Sequence, residues 1–367
     1  MLRTPVTPIW IQSAVGVGLG LGFSSVLIRW VAPLGWMDRP DQTRKHHARP
    51  IARTGGLALW LGLILAQVLG KVPFQLHTLD WVAIHGMALI GLLDDRFDLR
   101  ARYKAVAGLS MALLLAFHIT QSLGRTVGHI PFLGMELPTH PVIIFPLLML
   151  WFWGIPQAYN LIDGINGLSM GFGALLLGVL GWNLGSEPAL LWGGLAAVLA
   201  LNFPKAHHFL GDCGALLLGT LFAILAIQAF AFSQPDLLLW VFAYPIVDVS
   251  LVVSLRRWHG QPLSTADRNH LHHWMMDRVG RRSWIATPLL LGFAGLPMLR
   301  ATAIAGHLPL STLGILALVM LALKAFKDRA MNPLKATRRK VIQVHHEIPF
   351  LGSEVMRESP SGSHPRL

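Results

Sequence analysis

Cysteine is nearly absent from this sequence, which has only Cys213 among its 367 residues. A single cysteine cannot form an internal disulfide, so a domain held together by disulfides is excluded. Charged residues are also scarce, at 13% of the chain, whereas 53% of the residues are hydrophobic and the mean hydropathy is +0.54. This composition is too apolar for an ordinary soluble domain and predicts a polytopic membrane protein.

A small-residue cleavage site is missing after the first apolar run, at about residues 8–31, and the run is too long for a signal-peptide core. We therefore expect a retained span. Several of the later runs are shorter than the ~20 residues that a helix needs to cross a bilayer. We predict an all-α polytopic membrane protein with about 11 transmembrane helices, and ten would also fit. The later runs cover about residues 55–70, 78–93, 105–122, 142–159, 168–185, 189–203, 214–232, 237–255, 284–302 and 309–326.

Basic residues are rare on one side of these spans. If the spans alternate, only Arg3, Lys71, Arg125 and Arg300 of the 30 Lys and Arg lie on that side. Cytoplasmic loops are enriched in Lys and Arg, so we expect the N-terminus outside and the C-terminus in the cytoplasm. The net charge of +12 then reflects topology, and we expect no nucleic-acid partner. Residues 1–327 are predicted to form one integral-membrane catalytic domain, and residues 328–367 a basic and polar, partly disordered cytoplasmic tail.

Five polar segments fall on the predicted cytoplasmic side, and several carry aspartates. They cover residues 38–56, 94–104, 160–168, 202–214 and 264–280. Like charges ~4 Å apart repel by about 4 kcal/mol at an effective dielectric near 20, and a divalent cation removes that cost. Carboxylates, waters and substrate phosphates are the usual ligands of Mg²⁺. Together with Lys, Arg and His for anions, they indicate phosphoryl transfer, although a segment such as NLIDGINGL could also be only a turn between spans. The aspartates are Asp94, Asp95, Asp98, Asp163 and Asp212.

Five motifs in this order resemble the polyprenyl-phosphate N-acetylhexosamine-1-phosphate transferases, the group that includes WecA, TagO and MraY. DDRFD and DRNHLHH are closest to WecA-like members. The motifs are RKHHARPIARTGG at Arg44–Gly56, DDRFD at Asp94–Asp98, NLIDGINGL at Asn160–Leu168, NFPKAHHFLGDCG at Asn202–Gly214 and DRNHLHH at Asp267–His273.

The resemblance implies a reaction and a place for it. A HexNAc-1-phosphate, most simply GlcNAc-1-phosphate, would pass from a UDP-sugar to undecaprenyl phosphate with release of UMP, as the first step of a cell-envelope glycan such as lipopolysaccharide or cell wall. The enzyme would be a multi-pass protein of the plasma (inner) membrane with a cytoplasmic active site. Its partners would be UDP-HexNAc, undecaprenyl phosphate and membrane lipids, and a homodimer is compatible with the sequence.

The resemblance also assigns roles to single residues. Asp94, Asp95 and Asp212 would be catalytic, with Asp212 and Asp95 holding Mg²⁺ or Mn²⁺. The second pKa of a phosphate monoester is near 6, so the lipid phosphate is mostly dianionic at neutral pH and direct attack is favoured. Phe209 would stack on uracil. The expected substrate-binding residues are Lys45, His47, Asn160, Asp163, Asn166, Asn202, Phe209, Arg268, His270, His272 and His273.

Within these assignments, position 166 departs from WecA, which has Asp there, whereas TagO-like members have Asn. The histidines next to Arg268 would neutralise charge on the diphosphate, because a protonated imidazole donates from both nitrogens. Four His-His pairs make zinc a rival, but neither HExxH nor a cysteine pair is present. Asp248 lies within the predicted ninth span, and we expect it to face inward near the site.

Two other classes of protein also place Asp and His in a membrane. A divalent-cation transporter would hold its ligands near the middle of the bilayer, whereas these motifs are in loops on one side. A protein that binds or scrambles a lipid carrier needs no acidic metal site. Release of UMP from a UDP-sugar separates the enzyme from both.

Overall fold

The computed structural model describes residues 8–38, 49–122, 129–130, 135–136, 140–231, 234–262, 268–302 and 308–330. Two predicted substrate-binding residues, Lys45 and His47, lie outside these ranges, and so do Asp267 of the DRNHLHH motif and residues 331–367 of the predicted tail.

The described part of the chain is mostly helical, as predicted. Short strands form two antiparallel hairpins, β1 (Met37–Asp38) with β2 (Ile51–Ala52) and β3 (His129–Ile130) with β4 (Met135–Glu136). The helices are α1 (Ile9–Val26), α2 (Gly55–Val68), α3 (Thr78–Phe97), α4 (Ala101–Ser122), α5 (Pro141–Leu161), α6 (Leu168–Asn183), α7 (Ala189–Asn202), α8 (Gly211–Phe230), α9 (Leu237–Val241), α10 (Ala243–Trp258), α11 (Leu271–Arg278), α12 (Ser283–Met298) and α13 (Leu308–Ala330).

Within the described ranges, six helical segments are long and apolar enough to cross a membrane, which agrees with the predicted class of protein. A π-helical turn and a 3-10 turn extend α1 to Leu34, and a 3-10 turn extends α12 to Ala301. Helices α2, α6 and α7 are apolar but shorter. The predicted run 237–255 forms two helices, which meet at Phe242. The number of 11 spans and their orientation stay predictions. The six segments are Ile9–Leu34, Ala101–Gln121, Pro141–Leu161, Gly211–Phe230, Ser283–Ala301 and Leu310–Ala330.

Helix α8 is the central element, since nearly all of its residues are buried and α2, α3, α5 and α6 pack around it. Glycines allow the closest approaches. A Cβ on Gly56 of α2 would lie 2.0 Å from the backbone nitrogen of Gly214, and a Cβ on Gly91 of α3 would lie 2.3 Å from the carbonyl oxygen of Asp212. Small residues let helix backbones touch in this way. The end of α3 and the start of α8 are therefore held together.

The β1–β2 hairpin is fastened to the segment that precedes α8. The N–H of Phe209 donates to the carbonyl of Ala52 at 2.8 Å, and the N–H of Gly55 donates to the carbonyl of Phe209 at 2.9 Å. Arg53 forms an ion pair with Asp38 across the hairpin. The first and fourth polar segments are thus joined by backbone hydrogen bonds.

Helix α13 continues to Ala330 and contacts α11. The indole nitrogen of Trp274 donates to Asp328 at 3.2 Å, and Arg278 forms an ion pair with the same carboxylate. The predicted domain boundary at residue 327 therefore lies within a helix.

Candidate active site

Two aspartates at the end of α3 have different environments, although both are buried. Asp95 accepts the backbone N–H groups of Asp212 and Cys213, each at 3.0 Å, through its two carboxylate oxygens. The first N–H groups of a helix have no partner within that helix, so Asp95 caps α8. Gly211 has φ of +72°, and a Cβ there would lie 2.6 Å from Asp95 Oδ2. Asp95 therefore fixes the position of Asp212.

Lys104 lies between the other two catalytic candidates. Its Nζ is 2.9 Å from Oδ2 of Asp94 and 2.9 Å from Oδ2 of Asp212. The chain returns to this point because α3 ends at Asp98 in the left-handed region, with φ of +51°, and α4 begins three residues later. The amide of Asn160, at the end of α5, donates to Asp212 Oδ1 at 3.1 Å. Four helices thus bring one ammonium, two carboxylates and one amide together.

Lys104 is absent from the predicted site residues. The sequence held a signal, since Lys104 lies in the same polar segment as Asp94, ten residues further on. That signal is weak, because Lys and Arg are enriched in cytoplasmic loops whatever their other roles, so topology alone accounts for a lysine there. Only the reversal of the chain at Asp98 shows that this lysine contacts the aspartates.

Asp163 lies in the turn between α5 and α6 and is largely buried, with its carboxylate accepting a hydrogen bond from the hydroxyl of Ser169. Loss of contact with water raises the pKa of Asp163 to about 6, although the hydrogen bond from Ser169 acts in the opposite direction. The negative charge of Asp212 raises the pKa of Asp163 further. The two carboxylates therefore interact electrostatically.

Two asparagines join the turn after α5 to the segment before α8. Asn202 accepts the N–H of Gly167 at 2.6 Å and donates to the carbonyl of His208 at 2.8 Å. Asn166 donates to the carbonyl of Pro204 at 3.0 Å. Both side chains thus hold the loops in place, and their predicted contacts with substrate stay predictions.

The histidine motif begins helix α11, and its members differ in exposure. His270 and His272 are buried, at 5% and 1% exposure, whereas His273 lines the cavity described below. Asp248 is fully buried and lies 2.7 Å from His270, so it faces inward near the site. Burial lowers the pKa of His272 well below its usual range, and the neighbouring histidines lower it further. This lowering opposes the protonated imidazole expected from the sequence, and the role of the histidines at the diphosphate stays a prediction.

One open cavity of about 1210 Å³ connects these groups. Basic side chains from helix α4 and from several loops also line it, namely Arg49, Arg53, Lys104, Lys205 and Arg281. Carboxylates and cations in one cavity suit a metal-bound phosphate substrate. Of the predicted site residues within the described ranges, His270 and His272 are the two that do not line it. Those that do are Asp94, Asp95, Asp212, Asn160, Asp163, Asn166, Asn202, Phe209, Arg268 and His273.

Comparison with known proteins identifies the family. Residues 78–230 match the model of glycosyl transferase family 4. A probable undecaprenyl-phosphate N-acetylglucosaminyl 1-phosphate transferase of Bacillus subtilis (strain 168) is 30% identical over 292 residues, which cover 73% of this chain and 77% of the relative. The chain belongs to glycosyl transferase family 4. Membership confirms the family resemblance of the five motifs.

Two further relatives of this family 4 chain are each named undecaprenyl-phosphate alpha-N-acetylglucosaminyl 1-phosphate transferase. The Thermotoga maritima protein is 28% identical over 276 residues, which cover 74% of this chain and 82% of the relative. The Escherichia coli (strain K12) protein is 28% identical over 265 residues, which cover 66% of this chain and 70% of the relative. The family 4 match contains all the aspartates around Lys104 but ends before α11.

The donors of this family 4 site fit a divalent cation. Asp94 and Asp212 already bind one positive charge, the ammonium of Lys104. The side chains that could supply metal ligands there are carboxylates and the amide of Asn160. In the described residues, no histidine is a hydrogen-bond partner of Asp94 or Asp212. Oxygen donors without nitrogen or sulfur are typical of Mg²⁺ sites rather than zinc sites.

Proposed function

We propose that this protein transfers GlcNAc-1-phosphate from UDP-GlcNAc to undecaprenyl phosphate and releases UMP. The observation that carries the proposal is the convergence of Asp94, Asp212 and Asn160 on Lys104 in a cavity lined by basic residues. The names of the relatives include undecaprenyl phosphate and an N-acetylglucosaminyl 1-phosphate group, and the resemblance of the motifs implies the UDP carrier. The product would begin a cell-envelope glycan.

The proposal includes a membrane orientation. The chain would cross the plasma (inner) membrane eleven times, with the N-terminus outside and the cavity at the cytoplasmic face. The distribution of Lys and Arg supports this orientation. The cavity supports it too, because its lining residues come from all five polar segments that the sequence assigns to the cytoplasm.

We propose Mg²⁺ as the cofactor, with Mn²⁺ as the alternative. Asp212 would hold the ion, with Asp94 and Asp95 as the other available carboxylates. The two oxygens of Asp95 each accept one N–H of α8, so Asp95 would act on the site largely by fixing Asp212. When bound, the ion would neutralise charge on the diphosphate and polarise its phosphorus atoms.

The reaction we propose is a direct displacement at phosphorus. A phosphate oxygen of the lipid attacks the β-phosphorus of UDP-GlcNAc and forms a new P–O bond. The bond from that phosphorus to the bridging oxygen breaks, and UMP leaves with the electron pair. Asp94 can accept a residual proton from the lipid phosphate. Lys104 and Arg268 line the cavity and would neutralise the phosphates, while Phe209 would stack on the uracil.

The test is UMP release by the purified protein in detergent. UDP-GlcNAc, Mg²⁺ and undecaprenyl phosphate together should yield UMP, and omission of the lipid or addition of EDTA should stop the release. Addition of Mg²⁺ after EDTA should restore it. A panel of UDP-sugars then tests the preference for GlcNAc. Absence of UMP with every UDP-HexNAc would overturn the proposal and favour cation transport or lipid-carrier binding.

A further inference from the structure

Asp248 has both carboxylate oxygens engaged at the start of α11, although it belongs to α10. Oδ2 lies 2.7 Å from Nδ1 of His270, and Oδ1 accepts the N–H of Leu271 at 2.6 Å. A carboxylate only accepts hydrogen bonds, so Nδ1 of His270 carries the proton. Asp248 therefore determines the tautomer of His270 and also caps the first turn of α11.

The buried histidines transmit this arrangement to the turn between α5 and α6. The rings of His270 and His272 are nearly parallel, with centroids 5.3 Å apart. His272 packs directly on Gly164, where a Cβ would lie 2.0 Å from its Nε2. Gly164 follows Asp163, and His273 and Arg268 both line the cavity. One chain of contacts thus runs from α10 through α11 to the turn that carries Asp163.

Asp248, His270 and His272 also form a cluster of metal-ligand type, with one donor atom from each within 4.8 Å of the others. Two features oppose a cation there. The carboxylate already accepts two hydrogen bonds, and the positive charges of Arg268 and Arg329 act on His272. A divalent ion would be repelled by both guanidinium groups. The contacts favour an orienting role for the cluster.

We infer that Asp248 is a positioning residue, which orients α11 through the His270 tautomer so that Arg268 and His273 face the diphosphate and His272 supports the Asp163 turn. The inference rests on the proposed function. Asp248 touches no substrate, since it is fully buried and does not line the cavity. Its effect is on the geometry of groups that do line it.

The substitution Asp248→Asn tests the tautomer. Its amide oxygen can accept from Leu271, but its Nδ2 then donates to His270 Nδ1 and forces the proton to Nε2. We expect kcat for UMP release to fall by about 10- to 100-fold, as for other misplaced catalytic groups, with a smaller change in KM for UDP-GlcNAc. Asp80→Asn is the matched control, because Asp80 is also fully buried and accepts the backbone N–H of His77 at the opposite end of α3.

A double-mutant cycle separates positioning from simple capping. Asn at position 270 can donate to Asp248 from the place of Nδ1 and has no tautomer to reverse. Asp248→Asn should therefore cost much less activity in the His270→Asn background than in the wild type. An equal loss in both backgrounds would mean that Asp248 acts only as a helix cap, and would overturn the inference.

If wild type releases no UMP, the proposed function fails; if wild type is active and Asp248→Asn matches Asp80→Asn, only the inference fails. A stoichiometric metal that is lost in Asp248→Asn, measured by mass spectrometry, would also overturn it.

If Asp248→Asn does not fold, His270→Asn should keep more activity than His270→Gln, whose amide reaches the place of Nε2. Equal activity of the pair would contradict the inference.

Discussion

The carboxylate of Asp212 contacts the ammonium of Lys104 and the amide of Asn160, and Asp212 itself lies in the first turn of α8, which Asp95 caps. Lys104 and Asn160 bind its oxygens, while Asp95 binds its backbone N–H. The side chain is thus oriented before any substrate arrives, and preorganised charge is a large source of catalytic power. Its neighbour Asp94 also contacts Lys104 but accepts the backbone N–H of Leu99 at 2.8 Å with its other oxygen, so the two aspartates should respond differently to substitution.

Asp212→Asn keeps the size of the side chain but removes the negative charge that Lys104 and a divalent ion require. We expect UMP release to fall by at least about 100-fold, comparable to the loss of a major electrostatic group at an active site. The thermal unfolding temperature in detergent should stay close to that of Asp80→Asn. Wild-type activity in a folded Asp212→Asn protein would remove this residue from the metal site.

Lys104→Met keeps the aliphatic stem and removes the ammonium between Asp94 and Asp212. Two carboxylates left ~4 Å apart would repel by about 4 kcal/mol at an effective dielectric near 20. We expect slower UMP release that higher Mg²⁺ does not fully restore, because the cavity also loses a phosphate-binding cation. Lys104→Arg should keep part of the rate. Full activity of Lys104→Met at saturating Mg²⁺ would show that Lys104 only replaces the ion.

Phe209→Ala tests recognition of the nucleotide. The ring lines the cavity, while the backbone of Phe209 is bonded to Ala52 and Gly55 and does not depend on the side chain. Loss of an aromatic stacking partner typically costs about 1–3 kcal/mol per base. KM for UDP-GlcNAc should rise about tenfold or more, since 1.4 kcal/mol is a factor of ten, whereas KM for undecaprenyl phosphate should not change. Equal changes in both would contradict stacking.

Among the elements, α8 matters most because its first turn carries Asp212 and its sides contact α2 and α3 without intervening side chains. Glycine at positions 56, 91 and 214 makes these contacts, so the ends of three helices meet at one point. In the absence of water, close backbone packing contributes much of the attraction between helices in a membrane. The position of Asp212 relative to Asp95 therefore depends on glycines, which have no reactive or charged side chain.

Gly56→Leu tests this contact between α2 and α8. Its Cβ would lie 2.0 Å from the nitrogen of Gly214, so the helices must separate. We expect the free energy of unfolding to fall by about 1–3 kcal/mol or more, as for other overpacked interiors, together with loss of activity. Gly62→Leu on the same helix is the control, because a Cβ there meets nothing within 4 Å. Similar unfolding temperatures for the two variants would contradict the packing argument.

For the whole molecule, the cavity is a meeting point of loops that are distant in sequence. Asp38 and Arg281 both line it, although 243 residues separate them. If the spans alternate across the membrane as proposed, every second loop lies on the same side, and packing around α8 brings those loops together. The arrangement predicts that chemistry is confined to one face of the membrane.

Membrane orientation can be tested by labelling introduced cysteines with an impermeant maleimide. The native Cys213 is buried and should not react in the folded protein. Glu187→Cys, in the exposed link between α6 and α7, should be labelled from outside intact cells. Gln261→Cys, in the exposed link after α10, should react only after permeabilisation. The reverse pattern would invert the proposed topology.

Much of the candidate site could be predicted, because the residues of the family 4 motifs are also those whose side chains suit a metal ion and phosphates. One cavity is lined by Asp94, Asp163, Asp212, Phe209 and Arg268. The alternation of the apolar runs predicts that all five lie on one side. Burial could not be predicted in the same way. The motif HLHH does not distinguish its three histidines. Successive residues of helix α11 point in different directions, so His272 lies in the interior and His273 lines the cavity.

Composition, run length and motif spacing are local properties, so the class of protein, most of its apolar helices and the family could be predicted from the sequence. Tertiary structure alone decided that Lys104 joins Asp94 to Asp212, that Asp95 caps α8 and that Asp248 orients His270. These contacts span 10 to 118 residues of sequence. They depend on where helices cross and how chains reverse between them, and no local pattern specifies either.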